Sequence, residues 1–274
     1  MTAKNPTLDE TDETDGTHGT DDSGETAETT EPLRLRRLLD TARTVLLDFD
    51  GPVCDLFGGR STRPAALEIK AMARRKWNTL DPAVEACDDS HGILHPLRDM
   101  LDRKRDAGLD PAVLREANDI VTRYEYECAG SAEPAPGIQS LLDSLLGRGK
   151  RLAIVTNNAE GPVRRFLELH GMSRKFEAVC GRDPGEPRRM KPDPASVHRA
   201  LRALSPTSPA HAVMIGDQLT DLRAAVSAGV GFLGYSTEPE RARLLRCAGA
   251  HGVVASHARL VTACAPPQVS RSRP

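Results

Sequence analysis

No apolar run in this chain approaches the roughly 20 residues needed to cross a bilayer, so a membrane-spanning role is not expected. The N-terminus lacks the basic n-region and apolar h-region of a secretory signal. No two cysteines form a CxxC pair: Cys54, Cys87, Cys128, Cys180, Cys247 and Cys264 are scattered along the chain. That spacing argues against a disulfide framework or a zinc site, and for reduced thiols in a cytoplasmic protein. Basic residues are mostly arginine and dispersed, so no nucleic-acid-binding stripe is expected. Residues 1–31 have Lys4 as their only lysine or arginine and almost no large apolar side chains, and they are rich in Asp, Glu and Thr. Such a segment cannot offset its ordering entropy and is expected to be a disordered acidic tail. The overall net charge of −2 hides this asymmetry.

What is present starts at Val45-Leu46-Leu47-Asp48-Phe49-Asp50-Gly51. A short apolar run bounded by a glycine turn reads as a buried strand. In an open α/β sheet, ligands bind beyond the carboxyl ends of the strands. This strand therefore delivers two carboxylates to the place where chemistry occurs. Side chains alternate along it, so Asp48 and Asp50 share a face and Phe49 points away. Two carboxylates on one face repel, and need a cation, a shared proton or divided roles.

The 274 residues suit one or two domains. After residue 31, the stretch 32–40 reads as a short helix or lead-in to the first strand. From 54 to about 133 the pattern turns helical, at 63–77, 97–105 and 112–128, with no convincing strand. Asp81-Pro82 and Asp110-Pro111 each place an N-cap residue before a proline at the first helical position. A β/α alternation resumes at Pro136-Gly137. Helices are expected at 138–146, 162–170, 194–204, 219–228 and 238–247, and strands at 151–155, 177–180, 212–215, 230–234 and 252–255. Strands separated by helices of this length predict a doubly wound parallel α/β sheet. The expected division is a core of 32–54 and 134–264, an inserted all-helical domain at 55–133, and a loose tail at 265–274.

Four polar signals follow predicted strands: Asp48 with Asp50; Thr156-Asn157-Asn158; Met190-Lys191-Pro192-Asp193-Pro194; and Gly216-Asp217-Gln218-Leu219-Thr220-Asp221. Each alone has a plain structural reading. Thr156 suits a turn or cap, Lys191 a surface, Asp193 an N-cap, and Asp217 and Asp221 the start of a helix. Their order and shared strand-end placement make a joint coincidence improbable.

That constellation resembles the haloacid dehalogenase-like hydrolase superfamily, over roughly residues 44–263. Asp48-Phe49-Asp50-Gly51 looks like its first motif, Thr156 its second, Lys191 its third, and Asp217 with Asp221 its fourth. Pro52 departs from the small β-branched or apolar residue more usual there. The resemblance implies a phosphatase of the phosphoglycolate phosphatase-like type, with a Rossmann-like core and a helical cap over the site. Asp48 would be the nucleophile that forms an aspartyl-phosphate, and Asp50 the general acid and base. Magnesium would be held by the Asp48 carboxylate, the Asp50 backbone carbonyl and Asp217, with Asp221 auxiliary. Thr156, Asn157, Lys191 and the Gly51 turn would receive the phosphoryl group of a small phosphorylated metabolite. Arg60 suits an exposed loop better than a substrate anion. A 2-haloacid dehalogenase, a phosphomutase or a non-catalytic phospho-ligand-binding protein are the alternatives on this fold. Asp50 weighs against the first of these, because a departing halide needs no proton. Oligomeric state is not encoded in these patterns.

Overall fold

The computed structural model describes residues 27–104, 108–205 and 207–265. Six parallel strands form one sheet in the order β3-β2-β1-β4-β5-β6. They are β1 (Thr44–Leu47), β2 (Arg151–Val155), β3 (Ala178–Cys180), β4 (Ala212–Gly216), β5 (Gly231–Tyr235) and β6 (Val253–Val254). The predicted α/β doubly wound architecture is present, and the strand order reverses beside β1. That reversal is the crevice where such sheets bind ligands.

The alternation along β1 divides the core. Val45, Leu47 and Phe49 join a cluster on one face with Leu141, Leu152 and Phe166. Leu46 joins the other, with Val155, Met214 and Phe232. Leu47 pairs with Ile154 on one side and Ile215 on the other. Asp48 is thus the first residue beyond the register, and its N–H still bonds Ile215 O at 2.8 Å.

The first helix, α1 (Ala27–Thr41), begins five residues before the predicted lead-in. Its buried Leu35 and Leu39 anchor it on the sheet. Extending a nucleated helix costs far less than starting one. The rest of the expected acidic tail, and residues 266–274, lie outside the described residues.

Between β1 and α6 (Ile138–Gly147) lie α2 (Arg63–Trp77), α3 (Pro82–Ala86), α4 (Leu94–Arg103) and α5 (Ala112–Ala129). They build a separate apolar cluster around Ile69, Trp77, Leu97 and Val113. Helix α4 starts three residues before the predicted 97, because Leu94 opens the buried stripe continued by Leu97 and Met100. Pro96 sits in its first turn, where the missing N–H has no intrahelical partner to lose. Asp81 does precede α3, but its carboxylate makes no cap bond and pairs with Arg103 and Lys104 instead. Asp110 and Asp193 act one residue earlier than an N-cap, each accepting the N–H two residues on, at 2.8 and 2.9 Å. Helices α7 (Glu160–Leu169), α8 (Ala195–Ala203), α9 (Leu219–Ser227), α10 (Pro239–Cys247) and α11 (His257–Cys264) complete the sheet's two covering layers.

Candidate active site

The four sequence signals follow β1, β2, β3 and β4, which are adjacent in the sheet order. Adjacency brings them to one edge. Asp48 and Thr156 stand one residue past their strands, as does Asp217 past β4. Lys191 is eleven residues past β3 and must return along a loop. Asn157 holds that loop by its backbone: its Oδ1 accepts Lys191 N–H at 2.7 Å, and its Nδ2 donates to Lys191 O at 3.2 Å. Asn157, expected to bind substrate, therefore spends its amide on positioning Lys191.

Lys191 is buried at the centre. Its Nζ forms ion pairs with Asp48 Oδ1 at 2.7 Å and Asp221 Oδ1 at 2.6 Å, and donates a hydrogen bond to Val155 O at 3.1 Å. Burial disfavours its charge, but Asp221 and Asp48 more than compensate and hold its pKa above the usual lysine range. Asp48 Oδ1 also accepts the Phe49 N–H at 2.7 Å. Burial first, then Asp221, push the Asp48 pKa up, while Lys191 pulls it down.

Asp50 is held apart from this cluster, accepting the Leu56 N–H at 2.8 Å on Oδ1. Burial raises its pKa, and the Leu56 bond only partly offsets that. A carboxyl with a raised pKa near the reaction centre suits a proton donor. Pro52 removes no bond from the turn, since Val53 and Cys54 supply the N–H groups that bond Phe49 O.

Two glycines set the carboxylate spacing. Gly51 has φ +109°, and a Cβ there would lie 2.7 Å from Asp217 Cγ. At Gly216 a Cβ would lie 2.6 Å from Asp221 Cβ. Asp221 Oδ2 accepts the Asp217 and Gln218 N–H groups at 3.2 and 3.0 Å, the second as part of a capping box that starts α9. Its buried Oδ1 lies 2.6 Å from Lys191 Nζ as an ion pair but has no hydrogen-bond partner.

Asp48, Asp217 and Asp221 each present an oxygen within 4.8 Å of the others. Asp217 Oδ1 is buried and has no hydrogen-bond partner. Its Oδ2 takes Gln218 Nε2 at 2.7 Å and Arg241 at 3.1 Å. Burial, then Asp221, push the Asp217 pKa up to about 7. An all-oxygen set in which two buried carboxylate oxygens, Asp217 Oδ1 and Asp221 Oδ1, have no hydrogen-bond partner fits a hard divalent cation. Occupancy by a proton and by a cation then compete. Below pH 7, the apparent affinity for a divalent cation should weaken by up to about tenfold per pH unit. Calorimetric titrations at pH 6 and pH 8 check this, and equal affinities at both would contradict it.

Thr156 is buried, with its N–H on Cys180 O. Its hydroxyl donates to Asn158 Oδ1 at 2.8 Å and accepts the Asn158 N–H at 3.1 Å. Behind Asn158 stands a residue that sequence reasoning passed over. Glu125, fully buried on α5, accepts from Asn158 Nδ2 at 3.2 Å and from Ala159 N–H at 3.0 Å. It also pairs with Arg182 at 2.8 Å and His91 at 2.7 Å. Burial raises the Glu125 pKa, but His91 and Arg182 outweigh it and hold the carboxyl at about 2. The available signal was weak: Glu125 falls on the buried face of α5, with Val121 and Cys128, where a carboxylate is out of place.

A cleft of about 670 Å³ joins these groups. Its floor is Asp48, Asp50, Thr156, Lys191 and Asp217, and Asp55, Phe57 and His91 face it from the inserted segment. Arg60 is exposed and is not among the lining residues.

Known proteins resemble this chain in sequence and fold. The chain is 37% identical to the phosphoglycolate phosphatase of Rhodospirillum rubrum, over 44% of this chain and 50% of that protein. It is 30% identical to the phosphoglycolate phosphatase of Xylella fastidiosa, over 72% of this chain and 83% of that protein. The chain spans about half the length of most curated relatives it matches. A protein of Mycobacterium tuberculosis named tyrosine-protein kinase PtkA also aligns, 29% identical over 70% of this chain and 61% of its own length. The fold matches the crystal structure of CbbY from Rhodobacter sphaeroides in complex with phosphate, with TM-score 0.54 and 23% identity, over 80% of this chain and 96% of that one. The family model described as haloacid dehalogenase-like hydrolase matches residues 65–235. The resemblance read from four short motifs is therefore a family relationship: the chain belongs to the haloacid dehalogenase-like hydrolases.

Proposed function

We propose that the protein is a magnesium-dependent phosphatase that hydrolyses a small phosphate monoester through an aspartyl-phosphate on Asp48. The observation that carries this reading is the Asp48–Lys191–Asp221 bridge beside the orphaned Asp217 oxygen. It presents a fixed carboxylate nucleophile next to a buried cation. Both bonds to Asp48 fall on Oδ1, which leaves Oδ2 to attack phosphorus.

As the P–O bond to the alcohol breaks, the leaving oxygen takes a proton from Asp50, whose raised pKa keeps one available. Asp50, now ionised, removes a proton from the water that attacks the aspartyl-phosphate. Phosphate leaves and Asp48 is restored. Lys191 holds Asp48 in place and balances charge on the phosphoryl oxygens. The loop at Thr156 would donate to a phosphoryl oxygen once substrate displaces its local bonds. Magnesium, held by Asp48, Asp217 and the Asp50 carbonyl, would supply charge neutralisation for a dianionic substrate. The inserted helices would act as a lid that excludes water and shapes the pocket for the alcohol.

Purified protein with magnesium should release inorganic phosphate from an aryl phosphate, and chelation should stop it. Silence toward aryl phosphates, with chloride released from a 2-haloacid, would reverse the reading in favour of a dehalogenase.

A further inference from the structure

We propose that the cleft selects phosphate monoesters whose alcohol part carries no negative charge, either a neutral polyol or a cationic amino alcohol. This rests on the phosphatase reading and adds a substrate class to it. Among the described residues lining the cleft, the basic side chains are Lys191, Arg241 and His91. Each is committed. Lys191 is ion-paired with Asp48 and Asp221 and donates to Val155 O. Arg241 lies on Asp217 at 3.1 Å and Glu238 at 3.5 Å. His91 Nε2 lies 2.7 Å from the buried Glu125.

The remaining ionisable groups facing the cleft are acids. Asp55 and Asp89 come from the inserted segment, and Glu238 from the turn before α10. Asp55 Oδ1 accepts the Gly58 N–H of its own loop at 2.8 Å, and Asp89 Oδ2 accepts the hydroxyl of Thr62, just before α2, at 3.2 Å. Thr62, Ser236 and Thr237 also line the cleft with neutral hydroxyl groups. Hydroxyls on a substrate would find partners there, and an ammonium would find opposite charge. A carboxylate or second phosphoryl group would meet three like charges and no uncommitted cation. These acids are exposed and screened by solvent, so the discrimination is electrostatic, moderate and salt-dependent.

Three substrates isolate the effect. Phosphoglycolate, 2-hydroxyethyl phosphate and phosphoethanolamine share a phosphoryl group and a two-carbon chain, and differ at the far end in carboxylate, hydroxyl or ammonium. At low ionic strength with magnesium, kcat/KM for phosphoglycolate should fall about tenfold or more below the other two. The gap should narrow in Asp55→Asn with Asp89→Asn, and also in wild type at about 0.5 M salt. Phosphoglycolate turned over as well as or better than the hydroxyl compound would overturn the proposal. Loss of the phosphatase reading would show separately, as no release from any of the three or from an aryl phosphate. Calorimetric binding of the same three compounds with magnesium then ranks them without turnover. Equal or tighter phosphoglycolate binding in that setting overturns the proposal too.

Discussion

Asp48→Asn should abolish phosphate release, by about 10⁴-fold or more in kcat, while leaving the protein at least as stable as wild type. The rate follows from chemistry: an amide oxygen is a poor nucleophile, and removing a group that forms a covalent intermediate disables the whole sequence of steps. The stability follows from the electrostatics. Asp48 is buried beside Asp217 and Asp221, and burial and those carboxylates all disfavour its charge. Lys191 pulls the other way, and keeps Asp221 and Val155 O when Asp48 is neutralised. Removing one negative charge from this cluster relieves repulsion in metal-free protein. The expected result is an inactive variant with an unchanged or higher Tm. Turnover within tenfold of wild type would remove Asp48 as nucleophile. A Tm lowered by many degrees would mean that Lys191 depends on Asp48 more than the geometry indicates.

The legible part of this site is the part that strand ends encode. Asp48, Thr156 and Asp217 each follow an apolar run by one residue, and apolar runs are what a sequence displays most plainly. Their convergence follows from sheet order, because β3, β2, β1 and β4 are neighbours. Strand β2 matches its expected bounds, and β5 is displaced by a single residue, since Val230 is buried just ahead of the strand. The division of labour within the motifs was not legible. Asn157 looks like a substrate ligand in sequence and is an anchor for Lys191 in space. Asp221 looks like a metal ligand in sequence, and in space one of its oxygens also holds the turn amides of Asp217 and Gln218. A hydrogen-bond partner 34 residues away leaves no periodic trace.

The same limit hid the contact between the inserted helices and the phosphate loop. Periodicity marks α5 as a helix, but cannot say that one face lies against α7 and the loop after β2. Nor does it show that Met190, next to Lys191, packs into the inserted helices' own apolar cluster. The loop from 181 to 194 thus touches the inserted helices at several points. Arg182 meets Glu125, and Arg188 meets Asp99 and Asp102 on α4. Lys191 lies on the loop that the insertion grips. One loop therefore both contacts the inserted helices and carries the central ammonium.

Glu125→Gln should be the most damaging substitution outside the catalytic set, costing about 3–5 kcal/mol of stability. The carboxylate is fully buried and faces Arg182, itself 5% exposed. Neutralising one partner leaves a guanidinium uncompensated in a low-dielectric interior, which costs far more than an exposed pair is worth. Pairing Glu125→Gln with Arg182→Met removes both charges and should recover much of the loss. Activity should not recover in parallel. Glu125 also accepts from Asn158 and the Ala159 N–H, and so orients the turn that carries Thr156. The double variant should fold yet show a raised KM and weaker inhibition by inorganic phosphate. Wild-type kinetics in a folded double variant would reduce Glu125 to a purely structural role. The pH dependence has a definite sign. The folded pKa of Glu125, about 2, lies below its unfolded value of 4.5. Its contribution, about 3 kcal/mol, is complete above pH 4.5 and is lost as pH falls toward 2. Acid unfolding of the wild type, followed from pH 5 to pH 2, should therefore be steeper than that of the double variant, which lacks this carboxylate.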